Sequence, residues 1–221
     1  MPPNWHIHLS QQCEQRGLVL TPAQVEALAQ YLDLLLRWRP YLNLTGLRDA
    51  ERMCEVLIVE SLDFLHGGFL RPGMRVLDLG TGAGVPGMTL AICCPEVHFT
   101  LLDRSEKKVT FLQRVITSLS LQHCQALSQT AEELARHLAP QDLFDVVVSR
   151  GVGSMTHLMR LSAALVTPGG HLILRKPLET EELQEAERRG TAEGWGKIET
   201  LPLAWPVSSP WGLVVLRRAC G

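Results

Sequence analysis

Long apolar runs are missing from this chain. No window comes near the roughly 18 uninterrupted apolar residues of a membrane span, and the start, "MPPNWHIHLS", has no basic segment leading into an apolar one. The expectation is a cytoplasmic protein with no membrane partner. An excess of one charge is also lacking: 21 Lys and Arg face 23 Asp and Glu, a net charge of −2. Any nucleic-acid binding must therefore come from a local basic patch. The six cysteines (Cys13, Cys54, Cys93, Cys94, Cys124 and Cys220) form no C-x-x-C pair, and the eight histidines form no H-E-x-x-H. Reduced thiols and no metal are expected. Ser61 and Ser149 lack a nucleophile elbow. Aromatics make up only 5% of the chain, which leaves Trp38 and Tyr41 as the nearest platforms for base stacking, and Trp38 better suits a helix core.

What is present is ordinary globular composition, 46% hydrophobic and 20% charged over 221 residues, enough for one α/β domain with an appendage. The spacing predicts a helical cap over residues 1–70 and a sheet domain over 71–221, together one compact unit. In "TPAQVEALAQYLDLLLRW", Thr21 caps, Pro22 takes the first helical position and Gln24 completes a capping box. Apolar residues then recur at helical spacing until Pro40 is expected to stop the run. A second amphipathic stretch covers 50–65 and ends at Gly67-Gly68. From Arg75 onward, "RVLDL", "HFTLL", "CQALS", "FDVVVS" and "HLILR" read as strands, alternating with helices that begin near Pro86, Glu106, Ala131 and Met155. That rhythm implies right-handed βαβ units and a parallel sheet. "WGKIETLPL" and "WGLVVLRRA" are expected to finish it as an antiparallel hairpin joined by a Pro/Ser loop.

The chemistry is concentrated in "RVLDLGTGAGVPGMTLAI", where G-x-G-x-G (Gly80, Gly82, Gly84) overlaps G-x-G-x-x-G ending at Gly87. These spacings suit a backbone that turns sharply after a strand and approaches a ligand at a helix start. Asp78 stands two residues before Gly80, so a pyrophosphate in the turn would face a carboxylate, whereas a phosphate-free cationic ligand such as S-adenosylmethionine would not be repelled. Asp103, about 20 residues after the glycines, is placed to accept from ribose hydroxyls. A ribose does not separate adenosylmethionine from NAD, and an NAD dehydrogenase stays as a distant alternative.

"VLDLGTGAGVPGMTLAI…FTLLDRSEKKVTFLQRV", followed by "TAEE" and "FDVVVSR" and preceded by "NLTGLRD", resembles the RsmG family, also called glucose-inhibited division protein B, over roughly residues 25–176. The resemblance implies an α/β, Rossmann-like class I methyltransferase sheet, mostly parallel with the C-terminal antiparallel hairpin. It implies methylation of N7 of a guanine in 16S rRNA, with S-adenosylmethionine as cofactor. The implied partner is 16S rRNA or a small-subunit precursor, with the protein a monomer. Carried over by position, the resemblance implies cofactor contacts at Gly80, Val85, Asp103, Ala131, Glu132 and Arg150. The residues of the turn itself add Asp78, Gly82 and Gly84. Arg150 and Lys176 are the candidate catalytic residues. Arg150 has a competing reading as an ion-pair partner of Glu132 or Asp103. Some positions depart from the family pattern: Val56 and Leu57 replace the usual Arg-His, Glu60 replaces an aspartate, Gly151 follows Ser149-Arg150, and Arg175-Lys176-Pro177 replaces L-K-G.

Guanine N7 has a lone pair and no proton at neutral pH, so its methylation needs no general base. The expected catalysis is proximity and alignment, in surroundings neutral or negative enough to suit a purine that gains charge. Arg104, Lys107, Lys108, Arg150, Arg175 and Lys176 are expected to gather at one rim as a phosphate-tracking surface. Asn43 and Thr45 are candidates for capping or RNA contact, with capping favoured for Thr45. A methyltransferase of the same lineage acting on another RNA, a protein or a small molecule, and a non-catalytic adenosylmethionine-binding protein, are the other readings.

Overall fold

The computed structural model describes residues 4–203 and 209–220, so most of the expected Pro/Ser loop lies outside the described residues. Helix α1 (Trp5–Gln15) is capped by Asn4, a helix the sequence reading had not separated. Helix α2 (Pro22–Leu42) begins as expected: the Gln24 side chain accepts from the Thr21 amide at 2.8 Å and the Thr21 hydroxyl accepts from the Gln24 amide. It does not stop at Pro40. A proline inside a helix loses its own N–H bond and crowds the carbonyl one turn back, but here only two helical residues follow it, and Asn43, at φ 46°, closes the helix in the left-handed region. The stretch expected as one amphipathic helix is α3 (Ala50–Met53) continued by a π-helical segment (Cys54–Ile58) and a 3-10 segment (Val59–Leu65).

The sheet has seven strands in the order β3-β2-β1-β4-β5-β7-β6. Strands β1 (Arg75–Leu79), β2 (His98–Asp103), β3 (Cys124–Ser128), β4 (Phe144–Ser149) and β5 (Val166–Pro177) are parallel. Four of the expected strand starts are met within the printed bounds, while β5 begins five residues before "HLILR". Between them run α4 (Gly87–Cys93), α5 (Glu106–Ser118), α6 (Ala131–His137) and α7 (Met155–Ala163). Helix α8 (Glu181–Gly190), also unforeseen, leads to β6 (Trp195–Pro202) and β7 (Trp211–Arg218). The hairpin is antiparallel as expected, but β7 inserts between β5 and β6 and is itself antiparallel to β5. Burial explains the choice. The run Leu213–Leu216 is buried throughout, as a central strand requires, whereas β6 is mostly exposed and suits the edge.

Side chains alternate between two apolar layers. Val76, Phe99, Val146, Val148 and Ile173 face α1, α2, α4 and α5, while Leu77, Leu102, Val147, Leu172 and Leu174 face α6, α7 and α8. The N-terminal helices share the first of these layers through Leu9, Leu28, Leu32 and Leu35. They are therefore continuous with the sheet's own core.

A buried ionic chain ties the same parts together. The Arg16 guanidinium lies 3.2 Å from one Asp63 oxygen and the Arg175 guanidinium 2.9 Å from the other. Arg175 also reaches Glu60 at 3.1 Å and stacks over Trp211 with its guanidinium carbon 5.0 Å from the ring centroid. Arg175 is thus a buried structural cation, which corrects its expected place on a phosphate-tracking rim. Asp63 is 1% exposed and serves two arginines. Asp63→Ala would leave the buried Arg16 without a carboxylate and Arg175 with Glu60 alone, and we expect it to lower the unfolding free energy by about 3–5 kcal/mol. Urea denaturation checks this, and a loss below ~1 kcal/mol would contradict the ionic chain.

Candidate active site

The sheet order reverses between β1 and β4, which opens a crevice outside their carboxyl ends, the usual ligand position in such sheets. The turn after β1 forms one wall. Gly80 and Thr81 both donate to the Leu102 carbonyl at 2.9 Å, which ties the turn to the neighbouring strand. Gly82 sits at φ +58°, where a side chain would be strained, and its amide donates to Asp103 at 2.9 Å. The other Asp103 oxygen accepts from the Ser105 amide at 2.9 Å.

These elements enclose a cavity of about 770 Å³, within the range of small-molecule sites. The structure places Gly80, Gly82, Val85, Asp103, Ala131, Glu132 and Arg150 together on its lining. Ala131 and Glu132 open α6, which begins where expected and is capped by a Thr-x-x-Glu box: the Thr130 hydroxyl accepts from the Glu133 amide, and the Glu133 carboxylate accepts from the Thr130 amide. Three expected site residues are not on the lining. Asp78 is fully buried beneath the turn, where one carboxylate oxygen accepts from the Thr81 hydroxyl at 2.6 Å and from the Gly87 amide at 2.7 Å. It holds the turn and does not face a ligand. A Cβ on Gly84 would meet the Tyr31 hydroxyl at 2.7 Å and Leu112 at 2.8 Å, so this glycine serves packing. Gly87 likewise has no room against Leu101 and Asp78. The Lys176 ammonium donates to the Gly153 carbonyl at 3.2 Å and pairs with Glu182 at 3.0 Å, so it braces the loop after β4 from outside.

Arg150 is an ion-pair residue after all, though with neither Glu132 nor Asp103. It lies 3.8 Å from Glu60 and donates to the Val56 carbonyl. These bonds fix a guanidinium against the cavity wall, and burial pulls its pKa down. Of the expected cationic rim, Arg104 and Lys108 line the cavity, with Lys108 3.9 Å from Asp103, while Lys107 stays exposed on α5. Thr45 accepts from the Leu47 amide at 3.1 Å, a local cap, and also lines the cavity. Sequence reading missed Leu44 and Leu57, which bring the N-terminal helices to the site, and Val152 and His157 beyond β4. Leu44 and Leu57 carry no chemical signal in the sequence. Val152 packs where a Cβ on Gly80 would stand, 2.6 Å away, a contact that only the folded chain reveals.

The burden of discriminating against a pyrophosphate shifts from Asp78 to Asp103. Phosphates bind glycine-turn amides by accepting from them, and the Gly82 amide is already taken by a carboxylate. A carboxylate has about four acceptor positions. With Gly82 and Ser105 satisfied, Asp103 keeps capacity for hydroxyl donors.

Comparison with known proteins agrees with this chemistry. The profile of the GidB family, described as rRNA small subunit methyltransferase G, matches residues 24–201. The protein called ribosomal RNA small subunit methyltransferase G from Lachnoclostridium phytofermentans is 38% identical over 184 residues, 83% of this chain and 76% of the relative. Its namesake from Chromobacterium violaceum is 33% identical and aligns over 90% of each chain. Among solved structures, the YcgJ protein of Bacillus subtilis superposes with a TM-score of 0.55 at 16% identity, over 73% of this chain and 99% of its own. A SAM-dependent O-methyltransferase of Thermotoga maritima gives 0.54 at 14%, over 85% and 72%. These two likenesses establish the fold.

Burial raises the Asp78 pKa from 3.8 to about 6, against the opposing hydrogen bonds from Thr81 and Gly87. Because the folded value lies above the unfolded one, the folded state takes up a proton as pH falls through about 6, and the protein gains stability on acidification toward 3.8. Asp78→Asn removes that titration. Urea midpoints of both proteins between pH 8 and pH 4 should show the wild type gaining roughly 2–4 kcal/mol on the variant as the pH falls. A difference that does not change with pH would contradict it.

Proposed function

Because the chain belongs to the rRNA small subunit methyltransferase G family, we propose that it binds S-adenosylmethionine in the cavity beside Asp103 and methylates N7 of a guanine in 16S rRNA. The observation that carries the reading is the Asp103 carboxylate clamped to the Gly82 amide at the mouth of the cavity. That arrangement opposes phosphate and favours a sugar.

The cavity residues fit the cofactor. Asp103 has acceptor positions left for ribose hydroxyls. The α6 N-terminus presents the Ala131 amide, which has no acceptor within its helix, next to apolar Leu102, a combination suited to the edge and face of an adenine. Gly80 and Val85 are the residues of the turn wall assigned to the rest of the molecule. When bound, S-adenosylmethionine supplies an electrophilic methyl group on a sulfonium.

The chain's own contribution is orientation. Guanine N7 offers its lone pair without losing a proton, so no side chain has to act as a base. Leu44, Leu57 and Val152 give the cavity an apolar part of its lining. Arg150, held by Glu60 and the Val56 carbonyl, contributes a cation whose position does not drift. Lys176 is a positioning residue that acts on the 151–153 loop through the Gly153 carbonyl. Where the family pattern has Arg at position 56, this chain has Val56, and the carboxylate of Glu60 finds its charge partner in Arg175. Ribosomal RNA as substrate puts the reaction in the cytoplasm.

Mass spectrometry of 16S rRNA from a strain lacking this protein tests the function. The N7-methylguanine is expected to disappear and to return on complementation, and its persistence in the deletion would overturn the substrate. Asp103→Ala should weaken S-adenosylmethionine binding by roughly 1.5–3 kcal/mol, the scale of hydrogen bonds to a charged group. Calorimetry reads this directly, and a change of a few tenths would mean that the ribose lies elsewhere.

A further inference from the structure

The cations of this chain fall into two groups. Ten of the 21 Lys and Arg have a carboxylate within ion-pair distance, Arg52, Arg75, Arg160, Arg188 and Arg189 among them, and eleven do not among the described residues. Arg37, Lys107 and Arg114 have none among the described residues, and all three are exposed. In a protein with a net charge of −2, a local excess of unmatched cations has to be explained by what it meets.

Their placement supplies the explanation. A groove of about 510 Å³ runs between α2 and α5, walled by Leu34, Arg37 and Trp38 on one side and Thr110, Gln113 and Arg114 on the other. Lys107 shares the face of α5 that carries Thr110 and Arg114, about 10 Å from Arg114 by the helix rise. At the same end of α5, Arg104 and Lys108 line the cavity. The other wall leads to the same place, because α2 runs on through Asn43 to Leu44 and Thr45, which also line it. The groove therefore carries a line of positive charge that ends at the reaction site.

Aromatic groups are interleaved with it. The Arg114 guanidinium lies 5.2 Å over Trp38, an arrangement that holds the cation flat against the ring. Tyr41 is 79% exposed and follows Arg37 by four residues on α2, so it stands on the groove side one turn further on. The nearest acidic residues along these helices are Asp33, one turn before Arg37, and Glu106, beside Lys107, and neither pairs with a groove cation. Cations that follow a backbone, with an exposed ring for a base, are the pattern of single-stranded nucleic-acid binding.

We propose that the α2–α5 groove binds the phosphates of the RNA strand that leads to the target guanine, with Arg37, Lys107 and Arg114 as the contacts and Tyr41 as a stacking platform. The inference rests on the reading of the protein as an rRNA methyltransferase and adds a surface outside the cavity. Its occupant is RNA and not a protein, because unmatched cations beside an exposed ring suit phosphates and bases.

The test compares the wild type with the triple variant Arg37→Gln, Lys107→Gln, Arg114→Gln, and with Arg37→Glu, Lys107→Glu, which leaves the Trp38 stack intact. Substrates are protein-free 16S rRNA and small subunits from the deletion strain. Both variants should raise KM for RNA at least tenfold, with kcat within twofold of wild type and S-adenosylmethionine affinity unchanged by calorimetry. The slope of log Kd against log salt should fall by about 0.7 for each cation removed. Tyr41→Ala should weaken RNA binding at all salt concentrations, while Tyr41→Phe should not. An unchanged KM and salt slope in both variants would overturn the groove as an RNA surface. So would a loss seen only with small subunits, which would assign it to a ribosomal protein. If the wild type methylates neither substrate, the proposed function itself fails, an outcome read before any variant is compared.

Discussion

Two carboxylates hold the turn after β1 from opposite sides, and the site depends on both. Asp78, beneath it, accepts from the Thr81 hydroxyl and from the amide that starts α4. Asp103, at the tip of the next strand, accepts from Gly82. The bonds to Asp78 are made in a place from which water is excluded, and that burial raises the pKa of the carboxyl even though the bonds themselves oppose the rise. The bond to Asp103 is made at the edge of a cavity and leaves acceptor positions open. Similar chemistry at neighbouring strand ends thus yields a structural acid and a cavity-facing acid, separated by burial alone.

The N-terminal helices complete this arrangement. Tyr31 of α2 donates to the Ala83 carbonyl at 2.7 Å, so a helix from the start of the chain is bonded to the turn itself. The ionic chain from Arg16 through Asp63, Arg175 and Glu60 to Arg150 does the same for the opposite wall. Buried charges of this kind are poor sources of net stability but tolerate few alternative partners. Here they set the register between the 3-10 segment, β5 and the loop that carries Arg150. A cavity wall that joins Leu44 and Leu57 of the N-terminal part to Arg150 and the loop after β4 follows from that registry.

The placement of the cations reflects the same economy of charge. Those near the ionic chain are consumed by carboxylates, whereas Arg37, Lys107 and Arg114 on α2 and α5 are left exposed, Arg114 over the Trp38 ring. A low net charge is compatible with binding a polyanion when the positive charge is concentrated in this way.

The sequence by itself determined the alternation of strands and helices, the capping box at Thr21, and the turn with its partner Asp103. Each of these is local: periodicity, a cap three residues long, or a spacing of about 20 residues between successive strand tips. It could not distinguish Asp78 from Asp103, because both are aspartates at strand ends and only the layers packed above and below decide which one water reaches. Nor could it place Lys176 outside the cavity or Arg175 within the core, since adjacent residues of a strand point to opposite faces and their partners, Glu182, Asp63 and Glu60, come from distant segments. The insertion of β7 beside β5 was likewise left to tertiary structure, although its unbroken apolar run was visible. Burial and long-range pairing are properties of the assembled layers, and no window of sequence contains both partners.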